Sequence, residues 1–227
     1  SKVEDDILEL DEVPSDTLVA IQVLGRELNP KRVVLRHQIY SLLHDKTEVD
    51  KEISRLESEH FIRLFQIPND CTAVMLTKDY IHTIRGVISR NPKHAEITKR
   101  FLKALPVMKG MSISAMKLCK VIKSLDHDKA LSGLMQVGVI IRKDAQTFHF
   151  SIPDVGPLII DIRNGRKEIK RLINRRRYKE ILLKELENVK LRKTRMPPSY
   201  HIRDMHGLSM LEFTNTSVGT LVRVSEP

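Results

Sequence analysis

The sequence predicts a helix-rich α+β fold in which one pattern of elements recurs three times. Three observations carry this. Amphipathic stretches come in pairs, and each pair leads into two β-prone runs around a turn. Two helix-to-strand junctions, ISRLESEHFIR (53–63) and LSGLMQVGVII (131–141), coincide at Ser54/Ser132, Leu56/Leu134 and Ile62/Ile140, with Gly138 where His60 stands. A helix closed by a residue suited to the left-handed cap and followed at once by a strand is the join of a helix-turn-helix to a β-wing. Finally, 227 residues leave room for three small units. The expected architecture is three tandem winged-helix domains (helix-turn-helix plus β-wing) at 31–91, 92–153 and 154–227, after an acidic N-terminal segment at 1–30.

Along the chain, the acidic opening reads as a tail with a short helix at 17–28, and it lacks the charged-then-apolar order of a secretory signal. The chain starts without Met, so a native N-terminus upstream is expected. VVLRHQIYSLLH places Val34, Ile39, Leu42 and Leu43 on a short amphipathic helix. Thr47 and Asp50 are capping candidates for a second helix whose stripe is Val49, Ile53 and Leu56. FIRLFQI and TAVMLT form a hairpin around PNDC. In the second unit HAEITKRFLKAL and SISAMKLCKVIKSL read as helices, and DHDKALSGLMQVG starts from an Asp126 cap. VIIRKDAQTFHFSIP gives two strands about KDAQ.

In the third unit, rotating by about 100° per residue over 161–189 brings Ile162, Ile169 and Ile173 together. Tyr178, Leu182, Leu186 and Val189 fall on the opposite side. One straight helix cannot bury both stripes, so a break near 174–177 is expected, with NRRR at a corner between two helices. The prolines of RMPP stop any helix, Ser199 is a cap candidate for SYHIRDMHGLSM, and LEFTNTSVGTLVRV is a final hairpin.

Charge has an address. Between 163 and 195 stand fourteen Lys and Arg against four Glu, a net +10 that equals the formal charge of the whole chain. Clustered cations gain free energy by releasing counterions from a phosphate backbone. Arg175, Arg176, Arg177 and Lys179 form one cluster, and Lys190, Arg192, Lys193 and Arg195 a second. A solubilising face or a nuclear-import run is the competing explanation. Only Tyr178 is interleaved, so duplex phosphates are favoured over single-strand stacking, and nothing points to base readout.

Other classes find little support. Hydrophobic residues at 41% with 30% charged describe a globular chain, and no apolar run approaches the ~18 residues of a membrane span. Cys71 and Cys119 make no metal spacing or disulfide framework and read as buried small hydrophobes. Arg203–Asp204 suggests a kinase catalytic loop, but Ser209 stands where a metal-holding Asn is needed, and no glycine-rich phosphate loop exists. His201 and His206, five residues apart, do not share a helical face for zinc. No catalytic residue, metal or cofactor is expected.

VVLRHQIYSLLHDKT, SIPDVG, NGR, YKEILLKELE, SYHIRD and SVGTLVRV, in this order along residues 32–227, resemble the serine/threonine-protein kinase 19 family. Despite that name, the resemblance implies tandem winged helices, double-stranded DNA binding, and a nuclear scaffold role in transcription-coupled nucleotide excision repair. It implies as partners the stalled RNA polymerase II, the Cockayne-syndrome recognition complex, the UV-sensitivity scaffold protein and the repair helicase factor. A second copy of the chain is a further candidate partner. The family's DNA-contacting positions fall on Lys46, Arg175 and Arg177, with Arg166 and Lys190 keeping their charge. Ile160, Val189 and Asn174 stand where the human relative has cations, while Arg163, Arg176 and Lys193 add charge nearby. The full expected DNA-binding set is Lys46, Arg163, Arg166, Lys167, Arg175, Arg176, Arg177, Lys179, Lys190, Arg192, Lys193 and Arg195. The alternative is a protein-bridging module whose basic face meets acidic partners.

Overall fold

The structure, a computed structural model, describes residues 14–27, 31–43, 45–68 and 71–225. Most of the acidic segment, Leu28 and the turn residues 69–70 lie outside them. One element order recurs three times. It opens with α1 (Asp16–Glu27), β1 (Val34–Leu35), α2 (Arg36–Tyr40), α3 (Lys46–Ser58), β2 (Ile62–Ile67) and β3 (Cys71–Leu76). After α4 (Thr77–Arg90) it returns as α5 (Ala95–Ala104), β4 (Ser112–Ser114), α6 (Ala115–Val121), α7 (His127–Val137), β5 (Ile140–Arg142) and β6 (Thr147–Phe150). The third round is α8 (Gly156–Asn174), β7 (Glu180–Leu182), α9 (Leu183–Glu187), α10 (Pro198–Gly207), β8 (Leu211–Thr216) and β9 (Gly219–Val224). The three sheets share one strand order: β1-β3-β2, β4-β6-β5 and β7-β9-β8. Their hairpins are antiparallel, with Ile62 opposite Leu76, Ile140 opposite Phe150 and Leu211 opposite Val224.

The helix-to-strand join is the same each time. His60, Gly138 and Ser209 take φ of +64°, +82° and +55°. The next amide, of Phe61, Val139 or Met210, donates back to the carbonyl of Leu56, Leu134 or Met205. The left-handed residue itself donates to Glu57, Met135 or His206, which completes a Schellman pair. The expected equivalence of His60 and Gly138 is present, and Ser209 extends it to the third round.

Several elements differ from expectation. The helix assigned to the acidic tail is α1, started by Ser15 Oγ, which accepts from Leu18 N–H at 3.3 Å. Leu18, Ile21 and Leu24 are buried, and α1 packs on α3 and β3. The expected helices at 33–44 and 112–125 each hold a short strand at or near their start, β1 and β4. The side chain of Ser114 then caps α6 by accepting from Lys117 N–H. Asp126 caps α7 as expected, accepting from Lys129 N–H at 3.1 Å. Thr47 and Asp50 lie inside α3, which starts at Lys46. Between 161 and 189 the break falls after Asn174, but β7 and the short α9 replace a second helix. Pro197 and Pro198 begin α10, because a fixed φ and a missing N–H suit a helix's first turn.

The chain divides into two compact units. One takes in the described residues up to Val34 and Lys46–Val155; the other takes in Leu35–Asp45 and everything from Gly156 onward. In the first, Arg63 on β2 donates to the carbonyls of Met108 at 3.1 Å and Leu105 at 3.4 Å, and lies 5.0 Å over the Phe150 ring. Tyr80 donates its hydroxyl to the Ser151 carbonyl at 3.0 Å. Those bonds tie β2 and α4 to the second round within that unit. In the second unit, Ile169 and Ile173 of α8 pack with Ile181, Leu186, Ile202, Met205, Leu211 and Val222 as the core.

Candidate nucleic-acid interface

Helix α8 has three faces. At about 100° per residue, Leu158, Ile162, Ile169 and Ile173 share one, and all are buried. Asp161, Asn164 and Glu168 share a second, and Arg163, Lys167, Lys170 and Arg171 the third. The last is a cationic stripe at i, i+4, i+8, with Arg163, Lys167 and Arg171 exposed. The stripe runs into the corner, where Arg175, Arg176, Arg177, Tyr178 and Lys179 are all exposed. Arg175, Arg176 and Lys179 amides close successive turns onto Arg171, Ile173 and Arg176 carbonyls, and Lys179 takes φ +52° before β7 begins.

The second face holds the loop that carries the other cluster. Glu168 accepts the amide protons of Arg192 and Lys193 at 3.0 Å, and Asn164 Nδ2 donates to the Lys193 carbonyl at 3.2 Å. Asp161 accepts from the Arg195 amide at 3.3 Å and from its Nε at 2.9 Å. Thr194 Oγ1 and His201 Nε2 meet at 3.0 Å. Lys190, Arg192 and Lys193 stay exposed on this anchored loop. Reading the sequence for charge missed Asp161, Asn164 and Glu168; their i, i+3, i+7 spacing was the available signal.

The acids decide how much charge remains. Glu168 binds backbone amides, and Glu180 pairs with Arg223 across the sheet. Glu185 alone of the four glutamates pairs with a base of the stretch, Arg176. Arg195 pairs with Asp161 at 2.8 Å, though its side chain is 72% exposed. Arg166 is a correction to the expected set. Its Nε and Nη2 donate to Asp204 at 2.6 and 2.7 Å, and its side chain is 14% exposed, so it is an internal anchor. The other eleven bases form no ion pair among the described residues. Lys46 opens α3 in the first unit and is exposed.

Asp204 is fully buried and also takes His37 Nε2 at 2.6 Å. Burial alone would raise its carboxyl, but hydrogen bonds from Arg166 and His37 outweigh that and hold it below the ordinary carboxylate value. This carboxylate of the kinase-like Arg203–Asp204 pair is thus committed inside the fold. Helix α10, the third helix of the third round, packs against α2 and α8. Gly207 leaves no room for a β-carbon beside the His37 backbone, nor Gly165 beside the His201 ring. A helix so covered cannot enter a major groove. Helix α3 carries three bases and four acids and pairs its charges internally, Lys51 with Glu48 and Arg55 with Glu52. The cationic surface therefore belongs to the first helix of the third round and its flanks, not to a recognition helix.

His201 is buried, and burial pushes its pKa down to about 4. His206 instead meets the Phe213 ring edge-on at 4.6 Å. Among the described residues no group of three or more His, Cys, Asp or Glu is placed to hold a metal ion. Cys71 and Cys119 are buried free thiols. No helix of the described residues is long and apolar enough to cross a membrane.

Comparison with known proteins adds the family. Winged helix repair factor 1 of Homo sapiens is 26% identical over 197 residues, covering 86% of this chain and 77% of the relative. The Xenopus laevis protein of the same name is 30% identical over 195 residues, 85% of this chain and 74% of the relative. That of Dictyostelium discoideum is 28% identical over 225 residues, 82% of this chain and 58% of its own longer sequence. A family model described as inactive serine-threonine protein kinase 19 matches residues 11–224. With nearly every described element inside that match, the chain belongs to the inactive serine-threonine protein kinase 19 family.

Proposed function

We propose that this chain is a non-enzymatic, nuclear scaffold that binds double-stranded DNA through three tandem winged-helix domains, and that it acts in transcription-coupled nucleotide excision repair. The carrying observation is the run of unpaired cations on the outer face of α8, its corner and the anchored 190–193 loop. Arg163, Lys167, Arg175, Arg177, Lys179, Lys190, Arg192 and Lys193 grip phosphates, with Arg176 and Arg195 joining by exchanging their carboxylates for phosphate. Arg166 has no part in the grip, and Lys46 supplies a contact from the first unit. The first two domains dock proteins, in keeping with the self-paired charge of α3. By family resemblance these include stalled RNA polymerase II, the Cockayne-syndrome recognition complex, the UV-sensitivity scaffold protein and the repair helicase factor. The relatives' name, winged helix repair factor, supports this reading.

Duplex affinity measured across ionic strength tests it. Each phosphate contact contributes a log–log slope of about −0.9, so eight gripping cations give about −7. Arg175→Glu with Arg177→Glu, or Arg163→Glu with Lys167→Glu, is expected to make that slope shallower by about 2 while the chain stays folded. A slope near −1 in the parent protein, or unchanged affinity in both double variants, transfers the basic face to acidic protein partners. Calorimetry with ATP and magnesium is expected to give no saturable heat.

A further inference from the structure

Tyr178 is 72% exposed, and the core of the third round is complete without it. It stands in the corner among Arg175, Arg176, Arg177 and Lys179. The Arg177 guanidinium lies 5.3 Å from its ring centroid, and the exposure of the residue leaves ring surface for a second flat partner. The turn that presents it is fixed at both ends. Arg176 N–H bonds to the Ile173 carbonyl and Lys179 N–H to the Arg176 carbonyl, each at 3.0 Å. The next residue, Glu180, is clamped by Arg223 on the neighbouring strand β9. A ring in contact with a guanidinium and carried on a short, hydrogen-bonded turn loses little freedom when it binds.

Phosphates explain the cations but not the phenol. A ring of this kind gains from stacking on a nucleobase, and paired bases inside a continuous duplex present no free face. An unpaired base beside a duplex does. We propose that Tyr178 is a stacking platform for an unpaired base, so that the corner selects duplex DNA interrupted by a single-stranded bubble over fully paired DNA. This rests on the phosphate-binding reading: the flanking arginines hold the backbone, and the ring takes the base that the backbone swings within reach.

The test uses the full chain and two duplexes of equal length and identical ends, one fully paired and one with a central mismatched bubble carrying 2-aminopurine. The chain is expected to bind the bubble about tenfold more tightly, the ratio that one modest stacking contact supports. It is also expected to quench the probe's fluorescence. Tyr178→Ala brings bubble affinity down to that for paired DNA and abolishes quenching, while Tyr178→Phe retains both, since the ring and not the hydroxyl does the stacking. Circular dichroism and thermal melting of the variants check that the exposed position leaves the fold intact. Salt-sensitive binding of paired duplex without a bubble preference, or a preference that survives Tyr178→Ala, overturns this inference alone. Absence of salt-sensitive binding to either duplex overturns the phosphate reading and this inference with it.

Discussion

At Asp204 a guanidinium and an imidazole from distant parts of the sequence meet one carboxylate. Arg166 comes from 38 residues away and His37 from 167. Removing the anion would take from the nearly buried Arg166 the carboxylate that accepts from its Nε and Nη2, so Asp204→Asn is expected to cost about 3 kcal/mol, read from the urea midpoint. His201 adds an acid sensitivity of its own. With its native pKa near 4 and an ordinary value near 6.5 when unfolded, it is neutral in both states above about pH 6.5. As pH falls from there, only the unfolded chain takes up the proton, so stability drops progressively and the drop levels off below about pH 4. Replacing His201 by Gln is expected to flatten the denaturation midpoint over that window relative to the parent protein. Asp204 acts in the same direction at lower pH, where protonation of its depressed carboxyl removes the bonds to Arg166 and His37. None of these pairings shows in the sequence, where Arg166 reads as one more base in a basic run; a partner 38 positions away leaves no local mark.

At the level of elements, the Schellman turns carry the recurrence. Gly138→Ala keeps the hydrogen bonds but forces a β-carbon into φ +82°, and is expected to lower stability by about 1 kcal/mol, measurable as a shift in melting temperature. The sequence made two of the three turns visible because Gly and His resemble left-handed caps; Ser209 does not, although its geometry is the same. Strands of two or three residues such as β1, β4 and β7 were read as helix, since so short a stretch has no period to detect. Helix α4 was legible and overlooked: Tyr80, Ile84 and Val87 recur at i, i+4, i+7 and are buried. The break after Asn174 was found because two apolar stripes half a turn apart cannot face one core. The β7–α9 segment beyond it was missed because Ile181 and Leu186 serve a strand and a five-residue helix alike.

Across the whole molecule, the placement of acids matters more than their number. Counting placed the excess charge between 163 and 195, and most of those cations are exposed there. Counting did not reveal that Glu168 and Asp161 fasten the 190–195 loop to α8 through backbone amides, which positions cations instead of cancelling them. Nor did it reveal that the first helix of the third round, and not α10, carries the charge. The segment Leu35–Asp45 has a temporal consequence. Its compact unit is otherwise built from Gly156 onward, and its bond from His37 waits for Asp204, made 167 residues later. During synthesis α2 therefore emerges long before the surface it must meet. A ribosome-stalled chain ending at Val155 is expected to be clipped by protease within Leu35–Asp45, while the released full-length chain resists. A premature stop ahead of α10 thus also unsettles α2, more than 150 positions upstream.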